Sequence, residues 1–170
     1  MNLAMLGYVM AEGRGASDAL LREVAEALRA EGVKLAGAVQ VNLETAPENH
    51  CHMDLHVLAG GEVVRISQDL GALSEGCRLD PDGLEQVVGL ANAALEGGAQ
   101  LLIINKFGKQ EADGRGFRPL IGEALARDVP VLAAVARGSL AGFESFADGM
   151  AEALPADVQA VLGWCHKQLA

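Results

Sequence analysis

The sequence is short of positive charge, aromatics, cysteine and long apolar runs, and each shortage excludes something. Thirteen Lys+Arg stand against 23 Asp+Glu, for a formal net charge of −10 over 170 residues. A nucleic-acid binder needs a basic face to neutralise phosphates, and an anionic membrane surface asks for the same, so the balance argues against both. Three cysteines (Cys51, Cys77, Cys165) form an odd set without paired spacing, which excludes a disulfide framework. No apolar run approaches the ~20 residues of a membrane span, and Met1-Asn2-Leu3-Ala4 lacks the basic start of a signal peptide. Aromatics are few: Tyr8, Phe107, Phe117, Phe143, Phe146 and Trp164. What remains is 51% apolar, mostly aliphatic, with 21 glycines, enough for a sizeable core and far from a disordered composition. The expectation is one cytoplasmic α/β domain over residues 1–170.

Leu3–Met10 is short and apolar and runs into Glu12-Gly13-Arg14-Gly15, the pattern of a buried strand entering a turn. Ser17 or Asp18 can cap a following helix on which Leu20, Leu21, Val24 and Leu28 recur at helical spacing, with Gly32 at its end. Val33–Val41 reads as a second strand, completing a strand–helix–strand unit of a parallel sheet. Met53–Leu58 and Glu62–Ser67 flank Ala59-Gly60-Gly61 and predict a β-hairpin, an insertion over about 51–68. Gln68–Leu79 has no periodicity and reads as a loop. Asp80-Pro81 then starts a helix that continues to Gly97-Gly98, and Leu101–Ile104 reads as a strand buried on both faces. Helix is expected over Phe117–Arg127, the last strand over Val131–Val135, and two closing helices around Gly142–Leu154 and Asp157–Leu169. The economical architecture is a three-layer α/β sandwich with a mainly parallel sheet.

Two segments follow strand ends, where open parallel sheets bind ligands. The first is Gly13-Arg14-Gly15-Ala16-Ser17-Asp18, whose glycines let backbone N–H groups approach an anion at a helix N-terminus. Against the phosphate-loop pattern G-x-x-x-x-G-K-[ST], Gly15 and Ser17 fit, whereas Met10 and Ala16 replace the first glycine and the lysine. The alternative is a glycine turn that only caps the helix. The second segment is Asn105-Lys106-Phe107-Gly108-Lys109-Gln110-Glu111, continuing to Arg115. In phosphate-loop enzymes this strand ends in an Asp for the magnesium shell, often followed by a Glu that polarises water. Asn105 brings no charge to a metal and Lys106 cannot serve as a carboxylate base, so a cationic loop of Lys106, Lys109 and Arg115 suits holding an anion better than hydrolysing one.

Residues 50–57 alternate, with His50, His52, Asp54 and His56 on one strand face and Cys51, Met53, Leu55 and Val57 on the other. A solvent-facing polar row is the simple reading; His50 and His52 are the candidate pair for a transition metal. Cys77 has Arg78 beside it, a neighbour that favours thiolate. Cys165-His166 reads as a helix face with Trp164.

Four stretches carry a family resemblance: Gly37-Ala38-Val39-Gln40, Cys51-His52-Met53-Asp54-Leu55, Arg65-Ile66-Ser67-Gln68-Asp69-Leu70-Gly71, and Glu75-Gly76-Cys77-Arg78-Leu79-Asp80 taken with Asn105–Glu111. Over essentially the whole chain they resemble a bacterial family of unassigned activity that accompanies molybdenum ABC-transporter components. More distantly, the layout is similar to the small phosphate-loop nucleoside triphosphatases, in which a strand ends in Asp-Glu-x-Gly-Lys-x-Glu. Gly108, Lys109 and Glu111 match that pattern, while Asn105, Lys106 and Ala16 depart from it. The resemblance implies a P-loop NTPase-like fold.

The expected function is non-hydrolytic binding of an anion, a nucleotide or an oxyanion such as molybdate, with ATP/Mg or molybdate as the candidate cofactors. Gly13 and Gly15 would give amides and Ser17 a hydroxyl, with charge from Arg14, Lys106 and Lys109 beside Asn105. Gln68, Asp69, Cys77 and Arg78 would line the same mouth from the hairpin side. The resemblance adds a molybdenum transporter or molybdoenzyme component as partner. The alternatives are a divergent nucleoside triphosphatase or phosphotransferase with Glu111 as base, a metal or thiol sensor, and a protein-interaction module.

Overall fold

Leu101, Leu102, Ile103 and Ile104 carry no polar side-chain atom and are all fully buried, which only a strand covered on both faces allows. That strand organises the molecule. The computed structural model describes residues 5–10, 15–43, 52–68 and 78–170. In chain order these form β1 (Leu6–Val9), α1 (Ala16–Ala30), β2 (Leu35–Leu43), β3 (His52–Val57), β4 (Val63–Arg65), β5 (Ser67–Gln68), β6 (Arg78–Leu79) and α2 (Pro81–Glu96). There follow β7 (Leu101–Phe107), α3 (Lys109–Ala112), α4 (Arg118–Ala126), β8 (Val131–Val135), α5 (Leu140–Ala147), β9 (Ala151–Ala153) and α6 (Val158–Leu169).

The main sheet runs β4-β3-β2-β7-β8-β1-β9. Strands β2, β7, β8, β1 and β9 are mutually parallel, and β3 and β4 add antiparallel at the β2 edge. The expected hairpin is present, and it extends the main sheet. Side chains alternate between two aliphatic layers: Leu101 and Ile103 pack under α1 and α6, while Leu102 and Ile104 pack under α2, α4 and α5. The α/β sandwich therefore has its three layers, with β7 at the centre.

Asp80 caps α2 by accepting the Asp82 N–H at 3.1 Å, with Pro81 in the first turn, as the sequence signature requires. Asp157 does the same for α6 through the Ala160 N–H at 2.9 Å. Besides the expected loop Gln68–Leu79, whose two ends pair as β5 and β6, three expectations are corrected. The helix read over Gly142–Leu154 stops at Ala147, where Asp148 turns the chain in the left-handed region (φ 48°). Ala151–Ala153 then pairs with β1, so Val131–Val135 is not the last strand. At the N-terminal end of α1 the cap is Gly15, and Ser17 and Asp18 lie inside the first turn.

On the α6 face, the Trp164 indole lies directly on β1 at Gly7, where a β-carbon would stand 2.9 Å from its Cε2. Its Nε1–H is buried without a hydrogen-bond acceptor among the described residues. Cys165 beside it is fully buried, and burial pushes its thiol up to about 12, which removes it as a nucleophile at neutral pH.

Candidate functional site

The site grows from an irregularity at the end of β7. Ile104 pairs with Ala133 and Phe107 with Val135, so β7 carries one residue more than β8 over this interval, a bulge. The extra residue lets Phe107 return to the core, edge-on to Phe143 at 5.1 Å, while Lys106 is exposed. Asn105 stays on the α1 side with 3% exposure.

Asn105 joins three elements. Its Oδ1 accepts the Gln40 N–H from β2 at 2.7 Å. Its Nδ2 donates to Asp18 Oδ1 in the first turn of α1 at 3.0 Å and lies 3.4 Å from Gln40 Oε1. The pattern requires an amide, since one atom must accept from an N–H while the other donates to a carboxylate. Asn105→Asp would set a second carboxylate oxygen about 3 Å from Asp18 at a buried position. We expect a loss of about 2–3 kcal/mol near neutral pH, recovered partly on acidification as the pair shares a proton. Urea unfolding at pH 5 and pH 8 checks this, and equal losses at both would remove the like-charge explanation.

On one side of this bridge, Gly15, Asp18, Ala19, Arg22, Gln40 and Val41 surround a hollow of about 190 Å³. Gly15 stands there with φ 76°, a conformation that favours glycine. On the other side a cleft of about 330 Å³ opens between α2, β3 and the segment after β7. Its floor is apolar, formed by Met53, Leu55, Ile66, Leu79, Leu84 and Phe117, and its mouth carries Lys106, Lys109 and Gln110. Neither Lys106 nor Lys109 forms an ion pair with a described residue, although the chain is strongly acidic.

Glu111 closes the loop behind these lysines. It is 3% exposed; its Oε1 accepts the Gly108 N–H at 2.9 Å and its Oε2 the Phe117 N–H at 3.0 Å. Burial pushes its carboxyl above the usual range; the Gly108, Phe117 and its own N–H groups hold it back, and Glu85 adds slightly to the rise. Glu85 in turn accepts the Gly116 N–H at 3.2 Å. With both oxygens held by backbone, Glu111 fixes the shape of the segment from Gly108 to Phe117.

Of the other residues expected at the site, Gly13, Arg14, Asp69, Cys77 and His50 lie outside the described residues, as does Cys51. Gln68 and Arg78 are brought opposite each other as partners in the β5–β6 ladder, next to the Ile66 and Leu79 floor. His52 opens β3. Among the described residues no group of three or more His, Cys, Asp or Glu gathers as a metal site. The reading of Asp54 as part of a solvent-facing row is corrected: it is 6% exposed, beneath Arg65 Nε at 3.0 Å across the β3–β4 pair. Gln40 and Arg22 were missed. Gln40 is the one polar side chain in the run Leu35–Val41, which was its readable signal.

A parallel sheet, a glycine turn after its first strand and a polar segment after β7, with β8 between the two, define an α/β protein built on a mainly parallel sheet. Residues 6–164 match the family DUF2478, described as proteins of unknown function, and the chain belongs to that family. It is 33% identical over 147 residues to the molybdenum import ATP-binding protein ModC 2 of Bradyrhizobium diazoefficiens, covering 86% of this chain and 16% of that protein. The crystal structure of THEP1 from Aquifex aeolicus superposes with a TM-score of 0.63 at 15% identity, over 96% of this chain and 98% of that one. No helix among the described residues is long and apolar enough to cross a membrane.

Proposed function

We propose that this chain is a non-hydrolytic anion-binding protein on a P-loop-type scaffold, holding a nucleotide or an oxyanion such as molybdate. The observation that carries the proposal is the end of β7. Asn105 is committed to Gln40 and Asp18, and beyond it come Lys106 and Lys109 without acidic partners among the described residues. Asn105 is a poor ligand for a divalent ion at this strand end, because its Oδ1 already accepts an N–H and brings no charge where an aspartate would. An anion fits better: two lysines supply charge, and the turn at Gly15 leads into α1, whose N-terminus favours negative groups. Gly13, Arg14, Gly15 and Ser17 form the proposed first contact, Asn105, Lys106 and Lys109 the second, with Gln68, Asp69, Cys77 and Arg78 from the β5–β6 side.

The likeness to one part of a molybdenum import ATP-binding protein supports a role accessory to molybdenum uptake or use, with a transporter or molybdoenzyme component as partner. A cytoplasmic location goes with that role.

Calorimetric titration with Mg·ATP and then molybdate, with phosphate release followed in parallel, tests the proposal. We expect saturable heat with at least one of them and no phosphate release; at 100 times its Kd that ligand stabilises the fold by about 2.7 kcal/mol, visible as a thermal shift. Magnesium-dependent phosphate release lost on Glu111→Gln would establish the hydrolase or phosphotransferase reading instead. Absence of heat with both at millimolar concentration would leave a protein-interaction module.

A further inference from the structure

The cleft beneath Lys106 and Lys109 is too apolar for a bare inorganic ion. An oxyanion needs charge and N–H donors on most sides, whereas six of the cleft's lining residues are Met53, Leu55, Ile66, Leu79, Leu84 and Phe117. At about 330 Å³ it falls at the small end of sites for organic ligands, the size of one ring system. The floor is rigid, because Leu55, Ile66, Leu84 and Phe117 belong to the same packed layer as β7 and α2. Of the polar lining residues below the rim, Asn105 and Glu111 are already bonded within the protein, and the rim carries Lys106 and Lys109 without an ion-pair partner among the described residues.

We infer that the ligand is an organic anion, with a flat ring-sized apolar body seated on the Leu55–Leu84–Phe117 floor and its phosphate, sulfonate or carboxylate at Lys106 and Lys109. The inference rests on the reading of the segment after β7 as an anion holder, and it names the class of molecule held there. Glu111 and Asn105 act as positioning residues, one setting the loop that presents Lys109 and the other the strand end that presents Lys106. Gln110, also on the rim, can hydrogen-bond an edge of the ring.

Calorimetry on the full chain with 1-naphthyl phosphate, 2-naphthol and inorganic phosphate separates the contributions of ring and charge. Naphthyl phosphate should bind one to one, on the order of 10- to 100-fold tighter than inorganic phosphate, the gain expected for burying one aromatic body. Lys106→Ala with Lys109→Ala should weaken it about 10-fold and leave 2-naphthol unchanged. Leu79→Trp, at a half-buried floor position, should fill the cleft and abolish the ring's advantage; Met53→Phe serves if that variant does not fold. Equal affinities for naphthyl phosphate and inorganic phosphate, or full affinity after the cleft is filled, would overturn the inference. If the ring advantage is absent while Mg·ATP or molybdate still binds, the anion-holding proposal stands and only the organic ligand class falls. If no anion binds at all, both fall.

Discussion

Glu111→Ala should destabilise the protein by about 2–5 kcal/mol, because one buried and one part-buried backbone donor depend on this one side chain. Its two oxygens satisfy the N–H groups of Gly108 and Phe117. Truncation leaves both donors unpaired, at about 1–3 kcal/mol each. An amide in place of the carboxylate keeps one acceptor and presents an NH₂ to the other N–H, so Glu111→Gln should cost about half as much. The buried charge tempers the loss at neutral pH. Since the folded carboxyl titrates above its ordinary value, the stability linked to its protonation is complete below about pH 4.5 and declines as pH rises through the raised value. The deficit of Glu111→Gln relative to wild type should therefore be larger at pH 4 than at pH 7. Urea melts of the two variants at both pH values are the measurement. A Glu111→Gln protein as stable as wild type throughout would show that the backbone donors find water instead.

Gly37→Ala should cost about 4 kcal/mol or more and yield little folded protein. Gly37 lies in β2 opposite Ile103 with φ 103°, and a β-carbon there would overlap the Ile103 carbonyl oxygen. Both the backbone conformation and the overlap oppose any side chain, and the obstacle is backbone in the central strand, which cannot move aside. The close approach also governs the site, because three residues later the Gln40 N–H reaches Asn105 across the same pair of strands. Gly89→Ala is the control: it lies on the exposed face of α2 with open space around it, and alanine should stabilise by about 0.5–1 kcal/mol. Guanidinium denaturation of the pair decides the matter; a mild Gly37→Ala phenotype would mean that β2 shifts away from β7.

Elements whose boundaries are written in local chemistry were readable from the sequence. Asp80-Pro81 fixed the start of α2 because capping and proline geometry act within one turn, and the hairpin was legible from Gly60-Gly61 between two alternating runs. Ala151-Glu152-Ala153 was not, since nothing in those three residues favours a strand and only β1 makes them one. Asp54 misled for a related reason: its ion pair with Arg65 lies across the β3–β4 pair and depends on register, which local alternation does not show. At the site, the polarity of residues 105–111 was visible, whereas the bulge that leaves Lys106 outside and returns Phe107 to the core is a property of pairing with β8. The partnership of Asn105 with Asp18 spans 87 positions and lay beyond any local pattern.

The chain contains a single tryptophan, and it is the one laid against Gly7. Trp164 is thus a built-in optical probe, with all indole emission arising from one shielded environment. Unfolding should shift that emission to longer wavelength without background from a second indole. Because the indole rests on β1, the strand that leads to the glycine turn, changes in its lifetime or quenching would report rearrangement of β1 on ligand addition, with no label attached.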